Sequence, residues 1–293
     1  MGAGIGASIA TLARPSEPAS VAITANIVPP PSAESPAALE PVGAVAAFPL
    51  MAVAAIPDGR PRIAVVIDDV GVHVPNARRA VALPGPLTLS LMTYAADLPG
   101  MAAAARGRGH ELMLHVPMEP EVWDVDPGIN VLLLGQTGAE LQRRIDWALD
   151  RIAGIDGVVG INNHMGSRFT ADRAAMDVLM RALARRGLLF LDSVTTGHTV
   201  GRAASRAAGV PFLSRDVFLD NEETAEAIGA RLRELEAVAR RDGSAIAIGH
   251  PKVATLAALE AWLPTLAERG FVLVPVSALV SAPNSDLIAR ASR

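Results

Sequence analysis

Two carboxylates, Asp68 and Asp69, stand side by side at the end of an unbroken apolar run at 63–67. Adjacent acids repel each other and are tolerated best with a cation or proton between them. A helix cap is the other ordinary use of Asp at such a position. The same placement of polar residues recurs along the chain. His115 closes the run 111–115, and Asn162, Asn163 and His164 follow 157–161. Asp192 and Ser193 follow 188–191, while Arg215, Asp216 and then Asp220 follow 210–213. Gly249, His250 and Pro251 follow 245–248. A histidine directly after an apolar strand, with a carboxylate nearby, suits a borderline metal such as zinc. Metal-assisted hydrolysis needs this set of groups. An ion on one carboxylate and imidazoles binds water, a second carboxylate takes its proton, and another histidine protonates the leaving group.

Such residues meet only if the elements before them are parallel. Apolar runs suited to strands lie at 63–67, 87–92, 111–115, 157–161, 188–191, 210–213, 245–248 and 271–274. They read as continuous rather than alternating, as strands buried on both faces do. Helical patterns fill the gaps at 75–83, 98–108, 138–152, 171–186, 222–241 and 253–269, several ended by glycine. Seven or eight β/α repeats favour an α/β fold that closes as a (β/α) barrel over an open doubly wound sheet. No GxGxxG follows the first strand and no Walker A sequence is present. In a parallel barrel the strand C-termini open onto one face, where their loops build the site. Asp68, Asp69, His115, Asn163, His164, Asp192, Arg215, Asp216 and His250 should therefore converge. His110 precedes a strand and belongs to the opposite end, so it reads as structural. His73 and His198 lie in glycine-containing loops and read as solvated, with His73 near enough to Asp69 to join the rim.

The chain has 293 residues, 51% hydrophobic, a net charge of −4 and no cysteine. Disulfides and thiolate metal sites are excluded, and nothing in the charge points to nucleic acid. Residues 1–60 differ from the rest. They are rich in Ala, Pro and Ser and read as a disordered low-complexity linker. The stretch 43–56 is apolar but shorter than the roughly 20 residues of a spanning helix. The first 13 residues lack the basic start of a signal peptide. A linker before a globular domain is typical of proteins held off a membrane. It makes this segment a candidate membrane tether and the cell envelope or periplasm the expected location. The expected barrel covers 61–282, with a tail at 283–293.

The region from about 62 to 280 resembles the divergent polysaccharide deacetylases, relatives of the NodB-homology carbohydrate esterases. The resemblance rests on IDD at 67–69, GHELMLHVPMEP at 109–120, GINNHMGSRF at 160–169, FLDS at 190–193, RDVFLD at 215–220 and IGHP at 248–251. It implies a distorted barrel that removes acetyl groups from polysaccharides with a divalent metal, zinc being the expected ion. It implies Asp68 as base, Asp69 as metal ligand and His250 as general acid. The ordinary family carries two histidines four residues apart. Here His115 is followed four residues later by Glu119. Either His164 supplies the missing imidazole or Glu119 itself completes the site. Asp192 is a candidate to orient His250 or to contact substrate. Asn163, Arg215 and Asp216 are candidates to hold a sugar. Trp123, in the long loop 117–135, is the candidate stacking platform. Trp147 and Trp262 fall in helical patterns and are expected in the core.

Three functions fit these residues. The first is a metal-dependent deacetylase acting on an envelope or extracellular polysaccharide, peptidoglycan included. The second, prompted by Glu119, is a catalytically inactive glycan-binding or scaffolding barrel that kept the pocket. The third is a glycosidase using paired carboxylates and no metal.

Overall fold

The structure, a computed structural model, describes Met1 and residues 59–280. The expected linker and the tail fall almost wholly outside the described residues. Among the described residues nine strands and seven α-helices follow one another in chain order. They are β1 (Arg62–Val70), α1 (Val74–Ala82), β2 (Thr88–Met92), α2 (Leu98–Gly107), β3 (Glu111–Met118), α3 (Gly138–Asp150), β4 (Val158–Met165), α4 (Arg173–Arg186), β5 (Leu189–Asp192), α5 (Gly201–Ala208), β6 (Phe212–Ser214), β7 (Val217–Phe218), α6 (Ala225–Asp242), β8 (Ser244–Gly249), α7 (Val253–Trp262) and β9 (Val272–Leu273). Among the described residues no helix is long and apolar enough to cross a membrane.

All strand pairs are parallel, in the order β6-β5-β4-β3-β2-β1-β8-β7, with β9 added beside β1. The sheet curls into the expected distorted barrel. Its two edge strands, β6 and β7, are consecutive in sequence and separated only by Arg215 and Asp216. The Arg215 N–H donates to Asp192 O at 3.0 Å, and the next residue's N–H donates to Ile246 O at 2.9 Å. The backbone thus leaves one edge and joins the other within a single peptide.

Alternate residues of each strand face opposite sides. Ile63, Val65, Ile67, Leu112 and Leu114 pack outward under the helices. Ala64, Val66, Met113, Leu189, Leu191, Ile246 and Ile248 fill the barrel interior. Burying each larger side chain contributes about 1.5–3 kcal/mol, so the interior forms a firm floor beneath the strand ends. Two elements differ from the sequence expectation. The stretch after Leu213 forms a further strand, β7, and 201–208 is helical. Trp147 is also corrected: it sits on α3 with 37% of its surface exposed, whereas Trp262 is buried. The Trp262 Nε1–H donates to Glu236 Oε1 at 2.7 Å.

Candidate metal centre

The site begins with a break in β1. Asp69 adopts a left-handed φ of 54°, and the β1–β2 register shifts between Ile67 and Val70. A regular strand would point neighbouring side chains to opposite faces. The break turns Asp69 inward beside Asp68, so both acids reach one atom. His115 Nε2 lies 3.6 Å from Asp68 Oδ2 and 3.4 Å from Asp69 Oδ1. Non-glycine residues with positive φ also stand at two other strand ends, Met165 closing β4 at 54° and Val194 just past β5 at 53°. Strain of this kind persists where the surrounding structure enforces it, and it clusters at functional sites.

Parity settles the rest of the set. His115 shares the inward face of β3 with Met113, and His250 continues the inward series Ile246 and Ile248 of β8. His164 Nδ1 lies 3.1 Å from Asp69 Oδ1 and 3.2 Å from His115 Nε2. Asp69, His115 and His164 thus bring one donor atom each to a common point. Donors at zinc distances around a tetrahedral ion sit about 3.3 Å apart, and the three observed separations of 3.1, 3.2 and 3.4 Å bracket that figure. Asp69 Oδ1 is buried and receives no hydrogen bond. An orphaned carboxylate oxygen facing two imidazole nitrogens suits a divalent cation, and this donor set fits zinc.

The electrostatics divide the groups by role. Burial pushes the Asp69 carboxyl up, but the imidazoles of His164, His115 and His250 outweigh it, and the group is held well below the usual carboxylate range. Burial drives His115 down, which keeps its ring neutral and able to bind a cation. Asp68 is only 2% exposed, and burial raises it despite His115, His250 and Asn162. A raised carboxyl beside a candidate cation site suits a general base. His250 is raised: burial lowers it, but Asp220 more than reverses that. Its Nδ1–H donates to Asp220 Oδ1 at 3.0 Å, leaving Nε2 toward the centre, 3.9 Å from Asp69 Oδ2. A histidine whose protonated form is favoured in this way and which is aimed at the same spot suits a general acid.

A sequence profile for divergent polysaccharide deacetylases matches residues 65–280. The chain belongs to the divergent polysaccharide deacetylase family. It is 35% identical over 225 residues to an uncharacterised protein, YibQ, of Escherichia coli (strain K12), covering 77% of this chain and 69% of that one. It is also 35% identical over 209 residues to an uncharacterised protein of Haemophilus influenzae, covering 71% and 72%. The crystal structure of an uncharacterised protein, ATU2773, from Agrobacterium tumefaciens superposes with a TM-score of 0.72 at 32% identity, over 75% of this chain and 89% of that one.

In this member of the family several expected site residues take other places. Glu119 does not join the cluster. Its Oε1 accepts from Arg168 at 2.5 Å and its Oε2 from the Leu134 N–H at 2.5 Å. Its backbone N–H donates to Leu132 O at 2.9 Å, so Glu119 clamps the long loop onto the end of β4. Asp192 does not orient His250. It is on the outward parity of β5, where Oδ1 accepts from Val194 N at 2.8 Å and Oδ2 from the Thr199 hydroxyl at 2.6 Å. Asp220 holds His250 instead. Asn163 accepts from Ser193 N at 2.9 Å and donates to Met165 O at 2.7 Å, bracing two strand ends. Arg215 donates to Ser193 O at 2.8 Å and Val194 O at 3.0 Å, across the strained turn. Asp216 Oδ2 accepts from Ile246 N at 2.7 Å at the barrel seam. Trp123 is 55% exposed in the loop after β3. His73 caps α1 and faces solvent. His110 is buried at the start of β3, accepting from Leu87 N at 3.2 Å.

Two residues near the centre were given no role from the sequence. Asn162, fully buried, lies between Asp68 and His115. Tyr94, after β2, is raised by burial and by the charges of Asp69 and Asp126. Its ring packs on Gly128, where any Cβ would come within 2.4 Å of it.

Proposed function

We propose that this protein is a metal-dependent hydrolase that removes acetyl groups from an envelope or extracellular glycan, peptidoglycan being the leading class. One observation carries the reading. A cation-ready cluster of Asp69, His115 and His164 stands between a buried, raised carboxyl, Asp68, and a raised imidazole, His250 held by Asp220. Asp69, His115 and His164 would hold zinc, which when bound polarises the acetyl carbonyl and acidifies water. Asp68 accepts the proton as the water oxygen bonds to the acetyl carbon. His250 Nε2–H gives its proton to the departing sugar nitrogen or oxygen as the acyl bond breaks, releasing acetate. Trp123 offers an exposed ring face for a sugar further along the chain. The Ala/Pro-rich N-terminal segment supports placement in the cell envelope, spaced from a membrane.

The test is zinc content and acetate release from acetylated chitooligosaccharides, for wild type beside Asp69→Ala and His115→Ala. Bound zinc and acetate release in wild type, both lost in the variants, is the expected result. Zinc-loaded wild type that releases no acetate from glycans would favour the inactive binding barrel instead.

A further inference from the structure

Asn162 is at the inward face of β4 and has no exposed surface. Its side chain makes four polar contacts, and they use all its capacity. Oδ1 accepts from the Ser90 hydroxyl at 2.5 Å and from His115 Nδ1–H at 2.8 Å. Nδ2 donates to Asp68 Oδ1 at 2.8 Å and to Ser193 Oγ at 3.2 Å. The amide has only two orientations. Turned over, it would set a carbonyl oxygen 2.8 Å from a carboxylate oxygen and an NH2 against the ring nitrogen of His115. An ionised carboxylate only accepts, so Asp68 fixes which way the amide points.

We propose that Asp68 and Asn162 form a positioning relay that sets the tautomer of His115. Asp68 fixes the amide, and the amide oxygen holds the proton of His115 on Nδ1. Nε2 then carries a free lone pair, and it is the atom that faces Asp69 and His164. The group that takes the water's proton therefore also prepares a ligand for the ion. This assignment rests on the metal reading above only for its consequence. The tautomer itself is a property of the metal-free protein. Partners behind a ligating histidine typically change metal affinity by about 10- to 100-fold when removed.

Two measurements test it on the full chain, zinc affinity by competition with a chelator and the ring 15N shifts of His115 in metal-free protein. The His115 signals are assigned by their absence in His115→Gln. Wild type should show the Nδ1–H form. Asn162→Ala should lose that single form and bind zinc about 10- to 100-fold more weakly. Asn162→Asp keeps an acceptor toward His115 but sets a second carboxyl oxygen 2.8 Å from Asp68 Oδ1, where the pair must share a proton, so it should keep the Nδ1–H form. Asp68→Asn removes the obligate acceptor, lets the amide turn, and should give mixed tautomers with weakened zinc binding. If Asn162→Ala fails to fold, Asn162→Asp and Asp68→Asn still separate the relay from packing. An Nε2–H form in wild type, or unchanged tautomer and zinc affinity in both Asn162→Ala and Asp68→Asn, would overturn the relay. Wild type with the Nδ1–H form but no zinc uptake would leave the relay standing and sink the metal reading.

Discussion

Asp220 grips His250 at two points, Oδ1 taking the ring Nδ1–H at 3.0 Å and Oδ2 the backbone N–H at 2.7 Å. Thr255 adds a third anchor through its hydroxyl at 2.8 Å to Oδ2. The imidazole therefore has a fixed orientation and a raised pKa. A general acid works only while protonated, so activity should fall as pH rises through that raised value. Asp220→Asn removes the negative charge, lowers the value, and should shift the alkaline limb of the kcat/KM profile toward lower pH. An unmoved limb would exclude His250 as the acid.

The proposed metal ligands can be told from their neighbours by single substitutions. His164→Ala should abolish zinc uptake as Asp69→Ala does. Glu119→Gln should bind zinc within a few-fold of wild type, because Glu119 is committed to Arg168 and Leu134. Its cost should instead appear as faster proteolysis of the loop between β3 and α3. Equilibrium dialysis with zinc, run beside limited proteolysis, distinguishes the two outcomes.

Arg215 and Val194 make a matched pair. Val194 is β-branched and left-handed, a conformation worth about 1–3 kcal/mol of strain. Arg215 holds that turn through two carbonyls. Arg215→Ala should lower stability by about 1.5–3 kcal/mol, the usual range for charged hydrogen bonds. Val194→Gly should raise stability by about 1 kcal/mol, since glycine adopts positive φ without strain. Urea unfolding measures both, and a destabilised Val194→Gly would show that the side chain's packing outweighs the strain.

His110 sits at the other end of the barrel, away from the proposed chemistry. Its ring is buried between Leu87 N and Val81 O, and burial lowers its pKa. The native state therefore keeps the ring neutral, whereas the unfolded chain takes up a proton near pH 6.5. Its contribution is present above that pH and is lost as pH falls below about 6.5 toward the depressed native value. His110→Gln should flatten this part of the stability–pH curve. Chemical unfolding between pH 5 and pH 8, wild type against variant, reads the difference.

Much of the fold was legible because strands buried on both faces leave unbroken apolar runs, as at 63–67 and 245–248. Helix α5 was missed because GRAASRAA has no large apolar residue to mark a face. Strand β7 spans only two residues, too few for any period. The same two-sided burial hid the direction of each side chain. Asp192 and His250 both follow apolar runs, and only the register of the barrel sends one outward and the other in. The kink at Asp69 was equally silent, since an Asp–Asp pair reads the same in extended and left-handed backbone. Asp220 and Asn162 went unassigned because their partners lie 30 and 94 residues away along the chain.

The single peptide that carries the backbone from β6 to β7 makes the wall of this barrel a ring with one stitch. Flanking strands of three and two residues hold few rungs there, while β1 pairs with β8 through six registered positions. Thermal breathing should begin at that stitch, and it lies between Ser193 on one bank and Asp220 on the other. Amide exchange at 212–218 should outpace that of β1 to β3.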